Sequence, residues 1–130
     1  MLVQQPQDPL ATSFLDEFTR CTKWIVDALK YAHNSHSAED VFAMCQAGDA
    51  QFWPFYDSAI VTEIVSYPNR RVLRFWLAGG NLKTLLKAEP EIVEWSKQYA
   101  CKGVEINGRK GWEKVLNNYK PSSITLVKEI

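Results

Sequence analysis

Hydrophobic side chains recur every three or four positions in the first third of the chain, which is the period of an amphipathic helix. The pattern predicts a first helix from about residue 13 to residue 32, along the stripe Phe14, Phe18, Cys21, Ile25 and Leu29. A polar break follows. A second, short helix is predicted next, because Ser37 and Asp40 have the spacing of a capping box and Gly48 suits a helix C-terminus.

From residue 51 onward the hydrophobic period changes to that of strands. Residues 51–56 are aromatic, but Pro54 cannot donate a ladder hydrogen bond, so this segment is at best an edge strand. Two longer strands are predicted at 57–65 and 71–77, with a turn between them that favours an antiparallel hairpin. Both are apolar on both faces, which indicates a sheet covered on each side.

The last third of the chain alternates between helical and strand patterns. A helix is predicted from Asn81 to about residue 100, with Pro90 either kinking it or beginning a second helix. A strand at 101–106, a short helix at 112–118 and a last strand at 123–127 follow. The prediction is therefore a single α/β (α+β) domain over residues 13–130, preceded by an arm at 1–12.

Composition narrows the function classes. With 130 residues the chain has the size of one domain. Its 15 basic and 15 acidic residues give a net charge of zero, so nothing draws it electrostatically to nucleic acid or an anionic membrane. Three widely spaced cysteines without a CxxC pair are typical of reduced thiols in a cytoplasmic protein, and they argue against a metal site. Neither a signal peptide nor a membrane span is expected.

Two positions carry candidate chemistry. Gly79, Gly80, Asn81 and Leu82 lie where a strand passes into a helix, and the free N–H groups of a helix N-terminus can bind an anion. The same residues also suit a plain strand-to-helix turn. Glu63 lies in an otherwise apolar strand, either as an edge or solvent-facing residue or as the partner of an arginine on the neighbouring strand such as Arg74.

Two further groups are candidates for binding. Trp53, Phe55 and Tyr56 surround Pro54 and predict a surface for a protein partner, although aromatic residues at strand spacing are also typical of a core. Arg109 and Lys110 form a basic loop between two glycines. That loop is either a phosphate or nucleic-acid patch or a solvated turn, and the neutral net charge makes nucleic acid the weaker prediction.

Two short motifs resemble a known family. Residues 75–80, Phe-Trp-Leu-Ala-Gly-Gly, and residues 108–116, Gly-Arg-Lys-Gly-Trp-Glu-Lys-Val-Leu, are similar to small GNAT-like (acetyltransferase-fold) proteins encoded by tailed bacteriophages. The order of the predicted elements from residue 71 onward, a hairpin, a glycine loop, a long helix, a strand, a short helix and a last strand, is also similar to that of the family, and the resemblance covers about residues 13–130. It implies a central mixed, mostly antiparallel sheet flanked by helices, with acyl-CoA bound where a strand leads into the long helix.

The resemblance also assigns roles to residues. It implies that Gly79 to Leu82 hold the pyrophosphate of acetyl-CoA and that Glu63 is the general base. The family's acid, a Tyr on the late helix, is replaced by Trp112, so Tyr119 is the substitute candidate. If Gly79 is the first glycine of the family's phosphate motif, Trp76 stands where that motif has Gln or Arg, and Asn81 stands where it has Gly or Ala. If Gly80 is the first glycine, Leu77 and Leu82 stand at those two positions.

These two departures lead to the functional prediction. The chain is expected to be a phage accessory or virion-associated protein with weak or no catalysis and no cofactor. It would act in the host cytoplasm or the virion by binding a phage or host protein, and a homo-oligomer stays open. The alternative is an active acetyl-CoA-dependent N-acetyltransferase.

Overall fold

Four strands form one sheet in the computed structural model, which describes residues 12–109 and 111–130. In chain order the strands are β1 (Gln51–Phe55), β2 (Ser58–Ser66), β3 (Arg71–Gly80) and β4 (Gly103–Ile106). The α-helices are α1 (Thr12–Leu29), α2 (Ala38–Ala47), α3 (Leu82–Ser96) and α4 (Trp112–Val115), and 3₁₀ turns follow α1 at Lys30–Ala32 and α3 at Lys97–Tyr99.

The strands lie side by side in the order β1-β2-β3-β4. Both β1–β2 and β2–β3 are antiparallel, and β3–β4 is parallel. The sheet is therefore mixed and mostly antiparallel, which confirms the predicted fold class. Pro54 lies in β1, at an edge, where a residue without an N–H costs the sheet least.

The first helical layer covers one face of the sheet. α1 and α2 pack their apolar side chains against Phe52 of β1, Val61 of β2 and Leu77 of β3. Phe14, Phe18 and Phe42 from the two helices form an aromatic cluster with Phe52. The helical stripe predicted from sequence is the buried face of α1.

The second layer covers the opposite face. Leu85, Ala88 and Ile92 of α3 pack against residues of all four strands, among them the fully buried Trp53 and Leu73. Neighbouring residues of one strand therefore enter different clusters, as Phe52 and Trp53 do, because successive strand side chains point to opposite faces. This explains why the two central strands are apolar on both faces.

Side-chain caps fix where two helices begin. The Oγ of Ser37 accepts from the Asp40 N–H at 3.1 Å, and the Asp40 carboxylate accepts from the Ser37 N–H at 2.9 Å. Asn81 caps α3 by accepting from the Thr84 N–H at 3.2 Å. Both caps were predicted, whereas Pro90 turns out to lie inside one continuous helix.

The predicted last strand is wrong. Residues 123–127 have no regular secondary structure, and the side chains of Ile124 and Leu126 are 85% and 91% exposed. An alternating pattern forms a strand only where a neighbouring strand supplies hydrogen bonds, and no described strand pairs with this segment. The short helix predicted at 112–118 ends at Val115.

Two features are absent from the part of the chain that the structure describes. No helix there combines the length and hydropathy needed to cross a membrane. Within the same residues, no group of three or more His, Cys, Asp or Glu side chains is placed to hold a metal ion. The predicted arm at 1–12 lies outside the described residues apart from Thr12, the first residue of α1.

Candidate functional site

A cleft opens where β3 and β4 diverge. The two strands pair only from Val72 to Phe75 on β3, and β3 then continues to Gly80 with no other described strand beside it on that side. The cleft encloses about 450 Å³ of empty space, part of it open to solvent. Its walls are mostly apolar, with Glu89 and Asn107 as the polar contributors, and include Ile60, Phe75, Trp76, Leu85, Ile106 and Trp112.

A bulge in β3 shapes this cleft. Thr62 pairs with Phe75 and the neighbouring Val61 pairs with Leu77, so Trp76 is an extra residue opposite β2. The Trp76 indole packs against the α1–α2 layer and meets the His36 ring edge-on at 4.8 Å. Together with Trp112 it lines the cleft, so two indoles border the space that the diverging strands create.

The glycine junction at the end of β3 is packed against its neighbours. A Cβ at Gly79 would lie 2.6 Å from the carbonyl oxygen of Trp24 in α1. Gly80 has φ +111°, and a Cβ there would overlap Asp57 of the β1–β2 turn and Ser58, the first residue of β2. Both glycines are therefore required by close approach of the backbone, and Gly80 also by its left-handed conformation.

Two backbone N–H groups at this junction already donate hydrogen bonds within the chain. The Asn81 N–H donates to the Asp57 carbonyl at 3.1 Å, and the Asn81 side-chain oxygen accepts from the Thr84 N–H. A single residue, Asn81, separates β3 from α3, so no glycine loop is left to surround an anion. The residues present do not fit the diphosphate of acyl-CoA, which needs several free N–H groups around it. The predicted cofactor role of Gly79, Gly80, Asn81 and Leu82 stays a prediction that these contacts disfavour.

Glu63 lies in a charge cluster across the strands. Its carboxylate is 3.6 Å from the Arg74 guanidinium, which also contacts Glu105 of β4 at 3.2 Å. The Tyr67 hydroxyl donates to Glu105 at 3.0 Å. Glu63 does not line the cleft. The cross-strand pairing with Arg74, one of the two sequence interpretations, is observed, and a role as general base remains a prediction.

Tyr119 is linked to the cleft by its contact with Glu89. The Tyr119 hydroxyl donates a hydrogen bond to the Glu89 carboxylate, and Glu89 is one of the residues that line the cleft. Burial, and then the hydrogen bond to Glu89, raise the pKa of Tyr119 far above its usual value. A phenol with a raised pKa is a weaker acid, so this environment does not favour protonation of a leaving thiolate.

The three aromatic residues around Pro54 separate into two environments. Trp53 and Phe55 are buried in the α3-side core, at 1% and 8% exposure, whereas Tyr56 is 95% exposed. Arg20 of α1 fixes the turn beneath Tyr56 by donating to the carbonyls of Phe55 and Tyr56 at 3.0 and 3.1 Å. Of these three aromatic residues, only Tyr56 is therefore exposed enough to contact a partner.

The basic loop is described only in part. The Arg109 guanidinium lies 4.4 Å from the centre of the Tyr31 ring and 6.0 Å from that of Trp112. Arg109 lines a smaller pocket that shares Trp76 and Trp112 with the cleft, and its guanidinium lies there against aromatic rings. Lys110 lies outside the described residues.

Sequence reasoning missed two residues that matter for these sites. Arg20 was not singled out because it lies on the polar face of α1, where a charged side chain needs no explanation. Its contacts with residues 35 and 36 positions away leave no mark in the local sequence. Glu89 was missed because its partner Tyr119 is 30 residues away. The one available signal was the position of Glu89 directly before Pro90.

Comparisons with solved structures agree on the fold. The chain is similar to a tetramutant of the BH1408 protein from Bacillus halodurans, at 11% identity and a TM-score of 0.62 over 100% of both chains. It is also similar to a GNAT family acetyltransferase from Staphylococcus aureus subsp. aureus, at 14% identity and a TM-score of 0.60 over 100% of both chains. A protein from Clostridium difficile 630 named as a possible acetyltransferase matches at 10% identity and a TM-score of 0.57, over 98% of this chain and 96% of that one.

Comparisons at the level of sequence gave no match. No family model matches the chain, and no curated protein matches it. At 10–14% identity the structural likeness shows the fold alone. The chain therefore has a GNAT-like acetyltransferase fold.

Proposed function

We propose that this chain is a binding protein built on the GNAT fold, in which the acyl-CoA site has been lost. We propose further that it is an accessory or virion-associated protein of a tailed bacteriophage, acting on a phage or host protein in the host cytoplasm or in the particle. The phage assignment is supported by the likeness of residues 75–80 and 108–116 to such proteins.

One observation carries the proposal: the strand-to-helix junction is closed by its own chain. Gly79 abuts the backbone of α1, Gly80 abuts the β1–β2 turn, and Asn81 uses its side chain to cap α3. A protein that bound a diphosphate here would need those groups to be free. The weak acidity of Tyr119 and the pairing of Glu63 with Arg74 support the same conclusion.

The test is a calorimetric titration with acetyl-CoA and with CoA. We expect no saturable binding at about 1 mM ligand, where even a weak site with a Kd near 1 mM would be half occupied. We also expect no rise in melting temperature, because only a ligand that binds the native state stabilises it. A Kd in the micromolar range would overturn the proposal.

A second candidate function is an acetyl-CoA-dependent N-acetyltransferase, and the cleft between β3 and β4 favours it. If acetyl-CoA binds there, Ala78→Trp should abolish binding, because Ala78 lines the cleft. Ala47→Trp is the matched control, since Ala47 is exposed at the end of α2 and away from the cleft. Transfer of acetyl groups to amines that is lost in the first variant and kept in the second would establish this function.

A further inference from the structure

Residues 112–119 form one wall of the cleft, and we refer to them as the strap. The strap consists of α4 and the turn that follows it. Trp112 and Leu116 are half-buried and line the cleft, and the half-buried Tyr119 contacts Glu89 of α3. The residues between these three are exposed. The strap therefore rests on the domain through three side chains.

The backbone hydrogen bonds of the strap are local. The Leu116 N–H donates to the Trp112 carbonyl at 3.1 Å, and the Tyr119 N–H donates to the Leu116 carbonyl at 3.3 Å. The Trp112 N–H donates to the Arg109 carbonyl, directly before the strap, at 3.2 Å. Among the described residues, no backbone bond joins the strap to α3 or to a strand. A segment with exposed, local hydrogen bonds and few buried contacts opens at a lower free energy than the core.

One polar contact holds the far end of the strap. The Tyr119 hydroxyl donates to the Glu89 carboxylate, 30 residues earlier in the chain. A hydrogen bond to a charged acceptor contributes more than one between neutral groups. Trp112 and Leu116 add apolar contacts, and every residue after Tyr119 is exposed. The contact between Tyr119 and Glu89 is therefore the latch of the strap.

We propose that the strap is an autoinhibitory gate, which the Tyr119–Glu89 hydrogen bond holds closed over the apolar cleft and whose opening admits an apolar ligand. In the closed state the strap covers the cleft with its own side chains, Trp112 and Leu116, so this apolar surface is kept from water. A ligand that binds only the open state gains apparent affinity as the open fraction rises. This inference does not depend on whether acyl-CoA binds, because its tests contain no CoA.

Hydrogen exchange followed by mass spectrometry measures the opening of the strap in the full chain. Tyr119→Phe removes the hydroxyl and keeps the ring, so the amides of residues 112–119 should exchange about tenfold faster or more, as loss of a bond to a charged group predicts. The amides of α3 and β2 should exchange as in the natural chain. Tyr99→Phe is the matched control, because Tyr99 is partly exposed and lies outside the strap, and it should change no segment.

A second variant weakens the same bond from its other side. Glu89→Gln keeps an acceptor oxygen and removes the charge, so the strap should exchange faster than in the natural chain but more slowly than in Tyr119→Phe. Because Glu89 and Tyr119 are both only half-buried, circular dichroism should show the native fold in both variants.

Dye binding measures whether opening uncovers the cleft. The probe is Nile red, an uncharged dye whose fluorescence rises in apolar surroundings. We expect its Kd to be about tenfold lower for Tyr119→Phe than for the natural chain, in proportion to the open fraction. Adding Ala78→Trp to Tyr119→Phe should remove this binding, because Ala78 lines the cleft. Adding Ala47→Trp, at an exposed position of α2, should leave it unchanged.

Three results would overturn the proposal. Unchanged exchange of residues 112–119 in Tyr119→Phe would show that the hydrogen bond does not hold the strap. Equally faster exchange in α3 and β2 would show that the bond supports the whole domain rather than a gate. A Nile red affinity that is the same in the natural chain and in Tyr119→Phe, or that survives Ala78→Trp, would show that the strap does not control access to the cleft.

Discussion

At the residue scale, the paired glycines show how one sequence feature can have a packing cause. Gly79 and Gly80 occupy the place where the GNAT resemblance implies a phosphate site. Their neighbours, Trp24 on one side and Asp57 and Ser58 on the other, already require glycine. The presence of glycine there is explained without any ligand.

Replacing Gly80 by Ala should therefore destabilise the fold. The new Cβ would overlap the β1–β2 turn in a left-handed conformation, and we expect a loss of about 2–4 kcal/mol in the free energy of unfolding. Gly111→Ala is the matched control, because no described residue other than its chain neighbours comes within 4 Å of its Cβ position, and it should change stability by less than about 0.5 kcal/mol. Urea denaturation compares the two, and equal losses would contradict the packing explanation.

The buried thiols predict a loss of stability in alkali. Burial raises the pKa of Cys45 from 9.0 to about 12, and that of Cys21 to about 11. In the unfolded chain these thiols ionise near their ordinary pKa, while in the folded chain they stay neutral. The stabilising contribution is therefore fully present below pH 9 and is lost as pH rises toward the folded-state pKa values.

For Cys45 this effect can be measured separately. Between pH 9 and 11 the unfolding free energy of the natural chain should fall more steeply than that of Cys45→Ala, by up to about 1.4 kcal/mol per pH unit. Lysine and tyrosine titrations are common to both chains and cancel in the comparison. Parallel curves would mean that the thiol ionises equally in both states.

At the scale of elements, the start of α3 depends on one side chain. Asn81 accepts from the Thr84 N–H, and its own N–H is bonded to Asp57, so it joins the helix to the β1–β2 turn. Helices begin where such a cap satisfies a free donor. This made the start of α3 predictable, whereas its passage through Pro90 was not.

Asn81→Ala should lower stability by about 1 kcal/mol, because the Thr84 donor loses its partner. Asn81→Asp keeps an acceptor oxygen and adds a negative charge at the helix N-terminus, so it should remain close to the natural chain. Thermal unfolding followed at 222 nm is the measurement. A loss in Asn81→Asp as large as that in Asn81→Ala would rule out the capping role.

At the scale of the whole molecule, two hydrophobic clusters share one sheet. Val41 belongs to the cluster on the α1–α2 side and Ile92 to the cluster on the α3 side, and both are fully buried. β1 and β2 contribute alternate residues to each cluster. The clusters should therefore unfold together as one cooperative unit.

Cavity-forming substitutions on each side test this coupling. Ile92→Ala should cost about 2–5 kcal/mol, and Val41→Ala somewhat less because fewer methyl groups are removed. In both variants the transitions by circular dichroism and by tryptophan fluorescence should coincide. Leu15→Ala, at an exposed position of α1, serves as the control and should change stability little. Separate transitions in either core variant would mean that the two layers fold independently.

The sequence by itself determined most of the elements and both layers. Periodicity is a local property, so the stripe on α1, the two-sided strands β2 and β3 and the capping residues Ser37 and Asn81 could be recognised from neighbouring positions. The element order then indicated the GNAT-like fold, which the structural comparisons support.

The tertiary structure alone decided what depends on distant partners. It showed that Trp53 and Phe55 are core while Tyr56 is exposed, that Glu63 meets Arg74, and that Tyr119 meets Glu89. It also left residues 123–127 unpaired, because a strand needs hydrogen bonds from another strand and a sequence pattern cannot supply them. Contacts across tens of residues arise from the packing of whole elements, which local periodicity does not encode.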